Sequence, residues 1–389
     1  MKRGMASAAA VLASAFSICG QASAQGIVLP WGQSTDMIAW QTLTQIVAPA
    51  GNPANHKVEF ETWASDRDIY QTRTPHWPTV DTPKTLQPSA LRAETGGAGM
   101  HSLALPAGDN CGKPVNGKAG NFPPGACLGE EVRRNWASFQ YIVSNGLYSF
   151  DGLEQAFKAR LKVDMPADSV AVKGDWVKVT DLIAWLKRAE GITMTPLEVR
   201  KNYYVAPARN GQTFDNYALV AIHTSTKQVK DWVWADFEHR LNPGRCDDIG
   251  CRDSFGAIDG DVQPRKIANQ NYGECRKTVK LILMMNNAGN DPVWQNYCLK
   301  GSQATFVDDA GKPTLLGDSV VERMNANIPI PKSSCITCHA YASFDRNGNF
   351  GLIGFTTFHP QVGKVDEDRL KGFRQNDFMW GIVRMTPRQ

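Results

Sequence analysis

The sequence predicts an α+β fold in two parts: a mixed part over residues 25–300 and a mainly helical part over residues 301–389. Three observations lead to this prediction. Segments with alternating apolar and polar residues lie in the middle of the chain, segments with helical spacing flank them, and cysteines are spread over the first part. A chain of 389 residues is long enough for two domains.

Alternation predicts strands at residues 57–65, 169–179, 216–226 and 231–239, the last two forming a hairpin. In its second strand, one face would carry Trp232, Trp234, Asp236 and Glu238, and the other Val233, Ala235, Phe237 and His239.

Apolar residues at helical spacing predict the remaining regular elements. The predicted helices cover residues 34–48 with a cap near Ser34, 130–146, 151–161, 275–287, 291–298, 315–328 and 366–385. Residues 72–127 are rich in Pro, Gly and Asn, which predicts loops.

The N-terminus has the pattern of a secretory signal peptide over residues 1–24. Lys2 and Arg3 precede a short apolar stretch, and Ala22–Ala24 completes a cleavage site of the A-x-A kind. We therefore expect an exported, periplasmic protein. A lipoprotein reading of Cys19 is rejected because Ile18 precedes it, and no other stretch is apolar enough to span a bilayer.

The cysteine count suits an exported chain. Of nine cysteines, six remain after Cys19 and a later Cys-x-x-Cys pair are set aside. An even number in an oxidising compartment predicts three disulfides. Pairing of sequence neighbours gives Cys111–Cys127, Cys246–Cys251 and Cys275–Cys298 as the favoured set among fifteen pairings.

Charge gives little sign of a polyanionic partner. The formal net charge is +4, and there is no block of like charge. Nucleic acid and anionic membranes are therefore poor partner hypotheses. The acidic pairs Glu130–Glu131 and Asp247–Asp248 stand among polar residues, which predicts solvated surface positions.

The most specific motif is the stretch "SSCITCHAYAS", which contains Cys335, Cys338 and His339 in the order Cys-x-x-Cys-His. Two thiols three positions apart lie on one helical turn and can bond the two vinyl groups of one porphyrin, with the following histidine as iron ligand. A redox dithiol or half of a zinc site would also contain Cys-x-x-Cys, but the adjacent histidine and the exported context argue against both. The motif predicts covalently attached haem c.

With this motif, the chain resembles exported bacterial monohaem c-type cytochromes that carry a large N-terminal extension. The resemblance covers about the last 85 residues. It implies haem attachment after export and a mainly helical, cytochrome c-like wrap around the ring. Only 50 residues follow His339, so the first helix of that wrap would come from residues 315–328.

The second axial iron ligand decides between functions. Met379, 40 residues after His339, is the leading candidate, and Met385 and His359 are alternatives. His223 and His239, on the predicted hairpin, are remote candidates. An open position would allow a small molecule to bind the iron.

Two functions follow. In the first, the protein transfers electrons to a redox partner protein, which the N-terminal domain helps to dock. In the second, it is a peroxidase- or oxygenase-like haem enzyme with an open iron, and the N-terminal domain provides a small-molecule substrate site. A sensor or scaffold with structural haem is a third reading.

Overall fold

The computed structural model describes residues 32–51, 57–88, 128–210, 212–265, 270–322, 329–351 and 361–386. Its helices are α1 (Thr35–Ile46), α2 (Asp66–Ile69), α3 (Trp136–Ser144), α4 (Phe150–Lys158), α5 (Val179–Glu190), α6 (Pro196–Asn202), α7 (Val279–Asn287) and α8 (Cys335–Ala340). Short 3₁₀ helices cover Glu59–Thr62, Pro292–Asn296, Ile330–Lys332, Glu367–Leu370 and Trp380–Arg384.

The strands are β1 (Ala64–Ser65), β2 (Gln87–Pro88), β3 (Leu128–Arg134), β4 (Val170–Lys178), β5 (Val205–Asn210), β6 (Thr213–Thr226), β7 (Val233–His239), β8 (Cys251–Arg252), β9 (Asp261–Val262), β10 (Tyr297–Gln303), β11 (Ser343–Asp345) and β12 (Phe373–Gln375). Eight of them form one antiparallel sheet with the central order β1-β3-β4-β6-β7-β10, in which β2 pairs with β3 and β5 with β6.

The register of this sheet brings distant residues into one row. Val132 on β3 pairs with Lys173 on β4, which pairs with His223 on β6, which pairs with Asp236 on β7. Side chains in cross-strand register point to the same face of a sheet. Four residues that are separated by up to 104 positions in the sequence therefore become neighbours on one surface.

An apolar core fills the opposite face of the sheet. There α1 and α7 pack on Phe237 and Leu219, and the Trp40 ring meets the Phe237 ring edge-on at 4.8 Å. Ser34 caps α1 by accepting a hydrogen bond from the Met37 amide, as its sequence predicts. The two predicted faces of the hairpin are confirmed, since Phe237 lies in this core and Trp234 in the core on the other side.

The C-terminal segment covers the face that carries Lys173 and His223, and here the predicted fold class is wrong. Residues 301–389 do not form a mainly helical, cytochrome c-like domain. Within their described part, α8 is a single six-residue helix, and the rest is short strands, 3₁₀ turns and extended chain. Its apolar residues share one core with α3, α4 and Trp234. The boundary predicted between residues 300 and 301 lies inside β10.

The helix predicted over 366–385 is absent for a local reason. Asp377 and Phe378 have φ angles of 43° and 68°, and Gly372 has 86°. These left-handed conformations cannot continue a right-handed helix. The segment instead forms β12 and a 3₁₀ helix around this bend.

Some of the other predicted helices and strands are confirmed, and others are wrong. Strand β4, the β6–β7 hairpin and helices α1, α4, α7 and α8 are confirmed. Residues 57–65 are mainly a 3₁₀ turn rather than a strand, residues 130–134 belong to β3 rather than to a helix, and residues 291–298 form a 3₁₀ turn leading into β10. Of residues 315–328, the described part forms no α-helix, and 323–328 lie outside the described residues.

Two of the three predicted disulfides, Cys246–Cys251 and Cys275–Cys298, are confirmed. Cys111, Cys127 and the predicted signal peptide lie outside the described residues.

Gly381 provides a test of how the C-terminal segment packs. A β-carbon at this position would overlap the Tyr70 ring and the Arg134 guanidinium. We expect Gly381→Ala to lower the free energy of unfolding by about 1–3 kcal/mol, because the well-packed neighbours must shift. Gly51→Ala is the control, since no atom of the described residues lies within 4 Å of its β-carbon. Urea denaturation measures both, and equal stability of the two variants would contradict this packing.

Candidate functional site

A cavity separates the sheet from the C-terminal segment. It has a volume of about 1190 Å³, including its opening to solvent. Its wall includes Cys335, Cys338, His339, Met379, His223 and Asp236. The motif residues and the sheet's charged row thus face the same space.

Helix α8 is fixed to the sheet by one side chain of β10. The Gln303 amide nitrogen donates to the Ser334 hydroxyl at 2.7 Å, and its oxygen accepts from the Ile336 amide at 3.1 Å. The one-turn spacing brings Cys335, Cys338 and His339 to the cavity side, and the two thiols are not joined to each other. The motif's thiols are therefore available for another bond.

His339 is held in one orientation and one tautomer. Its Nδ1–H donates to the Phe378 carbonyl at 2.8 Å, and the Trp234 ring lies 4.4 Å from the imidazole. Burial lowers the pKa of His339 to about 4, so the ring is neutral at physiological pH. With Nδ1 carrying the proton, the lone pair is on Nε2, as in histidines that bind metal through Nε2.

The Phe378 carbonyl owes its position to the left-handed bend at Asp377 and Phe378. The Asp377 carboxylate receives hydrogen bonds from the Lys227 ammonium at 2.8 Å and from the Met165 amide at 2.6 Å. Each non-glycine residue in this conformation costs roughly 1–3 kcal/mol. The buried ion pair with Lys227 holds the bend that orients His339.

A charged wall lies across the cavity on the sheet. His223 Nδ1 is 2.6 Å from an Asp236 oxygen, and its Nε2 is 2.9 Å from oxygens of both Asp175 and Asp318. Burial alone would lower the pKa of His223, but Asp318 and Asp236 outweigh it and raise the pKa well above its ordinary value. Burial, with Asp318 and Asp236 beside it, raises the pKa of Glu322 well above its usual range.

Basic side chains also line the cavity, among them Lys173, Arg134 and Arg384. The Glu130 carboxylate forms ion pairs with Lys173 at 2.7 Å and with Arg384 at 3.4 Å. The solvated position predicted for Glu130–Glu131 is wrong, because both carboxylates are only 4% exposed. They lie on β3 inside the sheet, where Glu131 pairs with Lys84 and Arg133.

The candidates for the second axial iron ligand lie in different parts of the structure. Met379 and His223 line the cavity, whereas Met385 belongs to the apolar core beside it. His239 is on the opposite face of β7, stacked on the Tyr203 ring at 3.5 Å. His359 lies outside the described residues. No sequence pattern marked Asp318, Asp175 or Gln303, whereas His223 was placed on the predicted hairpin.

The side chains that face the cavity are of the types that the covalent haem predicted from the motif would require. Two unbridged thiols and a neutral imidazole with a fixed tautomer face it, and apolar side chains such as Val132 and Phe378 and basic groups that suit carboxylates line it. These are the donors that a c-type haem requires.

In comparisons with known proteins, no family model, no curated protein and no solved structure matches this chain. Within the part of the chain that the structure describes, no helix has both the length and the apolar character to cross a bilayer.

The assignment of His239 to a fully buried position can be tested by pH. Burial lowers the pKa of His239 to about 3, below the value of about 6.5 expected in the unfolded chain. The unfolded state therefore binds a proton first, and this part of the stability is lost as the pH falls from about 6.5 toward 3. At pH 5 the loss is about 2 kcal/mol.

His239→Phe can keep the stack on Tyr203. Between pH 7.5 and pH 5, we expect the free energy of unfolding to fall by about 2 kcal/mol less in this variant than in the unmodified protein. Urea unfolding at both pH values measures the difference. His76→Gln, at an exposed histidine outside the core, is measured beside it as the control. An identical loss in His239→Phe and the unmodified protein would contradict the assignment.

Proposed function

We propose that this protein is an exported c-type cytochrome that carries one covalent haem on Cys335 and Cys338, with His339 as an axial iron ligand, and transfers electrons. The observation that carries the proposal is the convergence of the two unbridged thiols and the oriented His339 imidazole on one cavity. The two disulfides are compatible with a periplasmic location, because such bonds persist in oxidising compartments.

The cavity residues would divide the binding of haem among them. Cys335 and Cys338 would form the thioether bonds, and the Phe378 carbonyl would keep Nε2 of His339 directed at the iron. Lys173 and Arg384 are suited to the propionates, since a guanidinium or an ammonium pairs with carboxylates. The haem would supply reversible one-electron transfer, at a potential set by its axial ligands and its burial. A redox protein would be the partner.

A haem enzyme with an open iron position is the second candidate, and one observation favours it. The Phe378 carbonyl accepts the Nδ1–H of His339 and so holds the main chain next to Met379 at that edge of the imidazole, away from Nε2. On the sheet, the cavity wall carries the polar side chains of His223 and Asp236. A small-molecule substrate would meet these groups in the same cavity.

Covalent attachment is tested by the double variant Cys335→Ala/Cys338→Ala. We expect it to abolish the haem-stained band on a denaturing gel, because no thiol remains to bond the vinyl groups. Ile336→Val, on the same turn of α8, is the matched control and should stain normally. A haem-stained band that survives in the double variant would overturn the attachment.

The two candidate functions are separated by Met379→Ala. If the methionine binds the iron, the purified cytochrome is low-spin and insensitive to carbon monoxide, and the variant becomes high-spin and binds it. Met385→Ala, in the neighbouring core, is the control. Rapid binding of carbon monoxide by the unmodified protein, with no spectral change in Met379→Ala, would reject methionine ligation and favour the enzyme.

A further inference from the structure

Three buried carboxylates surround one imidazole in the cavity wall. Asp236 lies on the Nδ1 side of His223, and Asp175 and Asp318 lie on the Nε2 side. Asp175 and Asp318 are completely buried, and Asp236 is 1% exposed. Burying a carboxylate is costly unless a cation or hydrogen-bond donors compensate its charge.

His223 cannot satisfy all three carboxylates. Its Nε2 has a single hydrogen, which is directed at Asp175, so it cannot also be donated to the Asp318 oxygen that lies at the same distance of 2.9 Å. That oxygen, Asp318 Oδ2, is buried and has no hydrogen-bond donor among the described residues. One further Asp175 oxygen, Oδ1, is in the same state. The three carboxylates therefore direct negative charge at the centre of the cluster, where hydrogen-bond donors are too few for their oxygens.

We propose that His223, Asp236 and Asp318 bind a divalent first-row transition-metal ion. Ligand atoms of these three residues all lie within 4.8 Å of one another. Two ligands at right angles on a metal with bonds of about 2.1 Å are roughly 3 Å apart. The 2.9 Å between His223 Nε2 and the Asp318 oxygen is close to this spacing. The Asp236 oxygen lies 2.6 Å from Nδ1, at the other edge of the ring, so a shift of the Asp236 side chain would complete the coordination sphere.

The surroundings hold these ligands in place. The second oxygen of Asp318 accepts hydrogen bonds from the Val320 amide at 2.7 Å and the Val321 amide at 2.6 Å. Binding of the ion would displace the proton of one His223 nitrogen, while the other nitrogen remains hydrogen-bonded to a carboxylate, the arrangement that orients metal-binding histidines. Asp175 could serve as this partner or as a fourth ligand.

The types of metal-ligand atom indicate which class of ion the site would bind. Oxygen-only sites are typical of Ca²⁺ and Mg²⁺, whereas one imidazole combined with carboxylates suits Mn²⁺, Fe²⁺ or Zn²⁺. The ion can enter from the cavity, because His223 and Asp236 form part of its wall. Asp236 Oδ2 is 3.7 Å from the Cys335 sulfur, so the ion would lie beside the cofactor attachment. This site goes beyond the proposed function and does not depend on it.

The test is metal binding by the full mature protein, dialysed against a chelator and then titrated with Mn²⁺ or Zn²⁺. We expect one ion per chain, and at least a tenfold loss of affinity in His223→Asn and in Asp318→Asn. Asp253→Asn is the matched control. This carboxylate is also buried, but it lies in the α1 layer, where it accepts a hydrogen bond from Trp40, and affinity should be unchanged.

Spectroscopy on the unmodified protein keeps the test decisive if a variant fails to fold. Bound Mn²⁺ should give an electron paramagnetic resonance spectrum with coupling to one imidazole nitrogen. Absence of saturable binding, absence of nitrogen coupling, or equal affinity in Asp318→Asn and the unmodified protein would each overturn the site. Haem iron is measured separately after the protein is denatured, because a covalent haem stays with the denatured chain while this ion is released. Failure of the metal site is thus distinguishable from failure of haem attachment.

Discussion

Compensation of buried charge is the constraint on which the arrangement of this protein depends. The central sheet turns Lys173, His223 and Asp236 toward a face that is covered rather than solvated. An unpaired charge in such a place costs several kcal/mol. The segment after β10 contributes Asp318 to His223, and Glu130 on β3 pairs with Lys173. The C-terminal segment is therefore an electrostatic as well as an apolar partner of the sheet.

A second chain of contacts connects distant parts of the sequence to the cavity. Lys227 pairs with Asp377, this pair stabilises the left-handed bend, and the bend presents the Phe378 carbonyl to His339. On the other side, Gln303 on β10 holds Ser334 and Ile336 at the start of α8. His339 is thus positioned from two directions by residues that carry no recognisable motif.

Sequence patterns correctly predicted the features that depend on residues close together in the chain. The Cys-x-x-Cys-His spacing placed three groups on one turn, the alternation in 231–239 separated Trp234 from Phe237 correctly, and neighbouring cysteines paired as expected. Prediction failed where a distant partner decides the outcome. Glu130 looked solvated because its ion-pair partners, Lys173 and Arg384, are 43 and 254 residues away. A C-terminal helix seemed reasonable because its apolar residues did not reveal the bend at Asp377.

The bend at Asp377 has a consequence for the order of events during folding. The residues that close the cavity, Phe378 to Val383, are made after α8, and their anchors are far away in the chain: Met165 and Lys227 for Asp377, and the Tyr70 carbonyl for the Thr386 amide. Contacts between such remote positions form slowly, because loop entropy must be lost first. Closure of the wall by residues 378–383 is therefore expected late in folding. A group that has to reach the thiols of α8 would meet less obstruction before that step than after it.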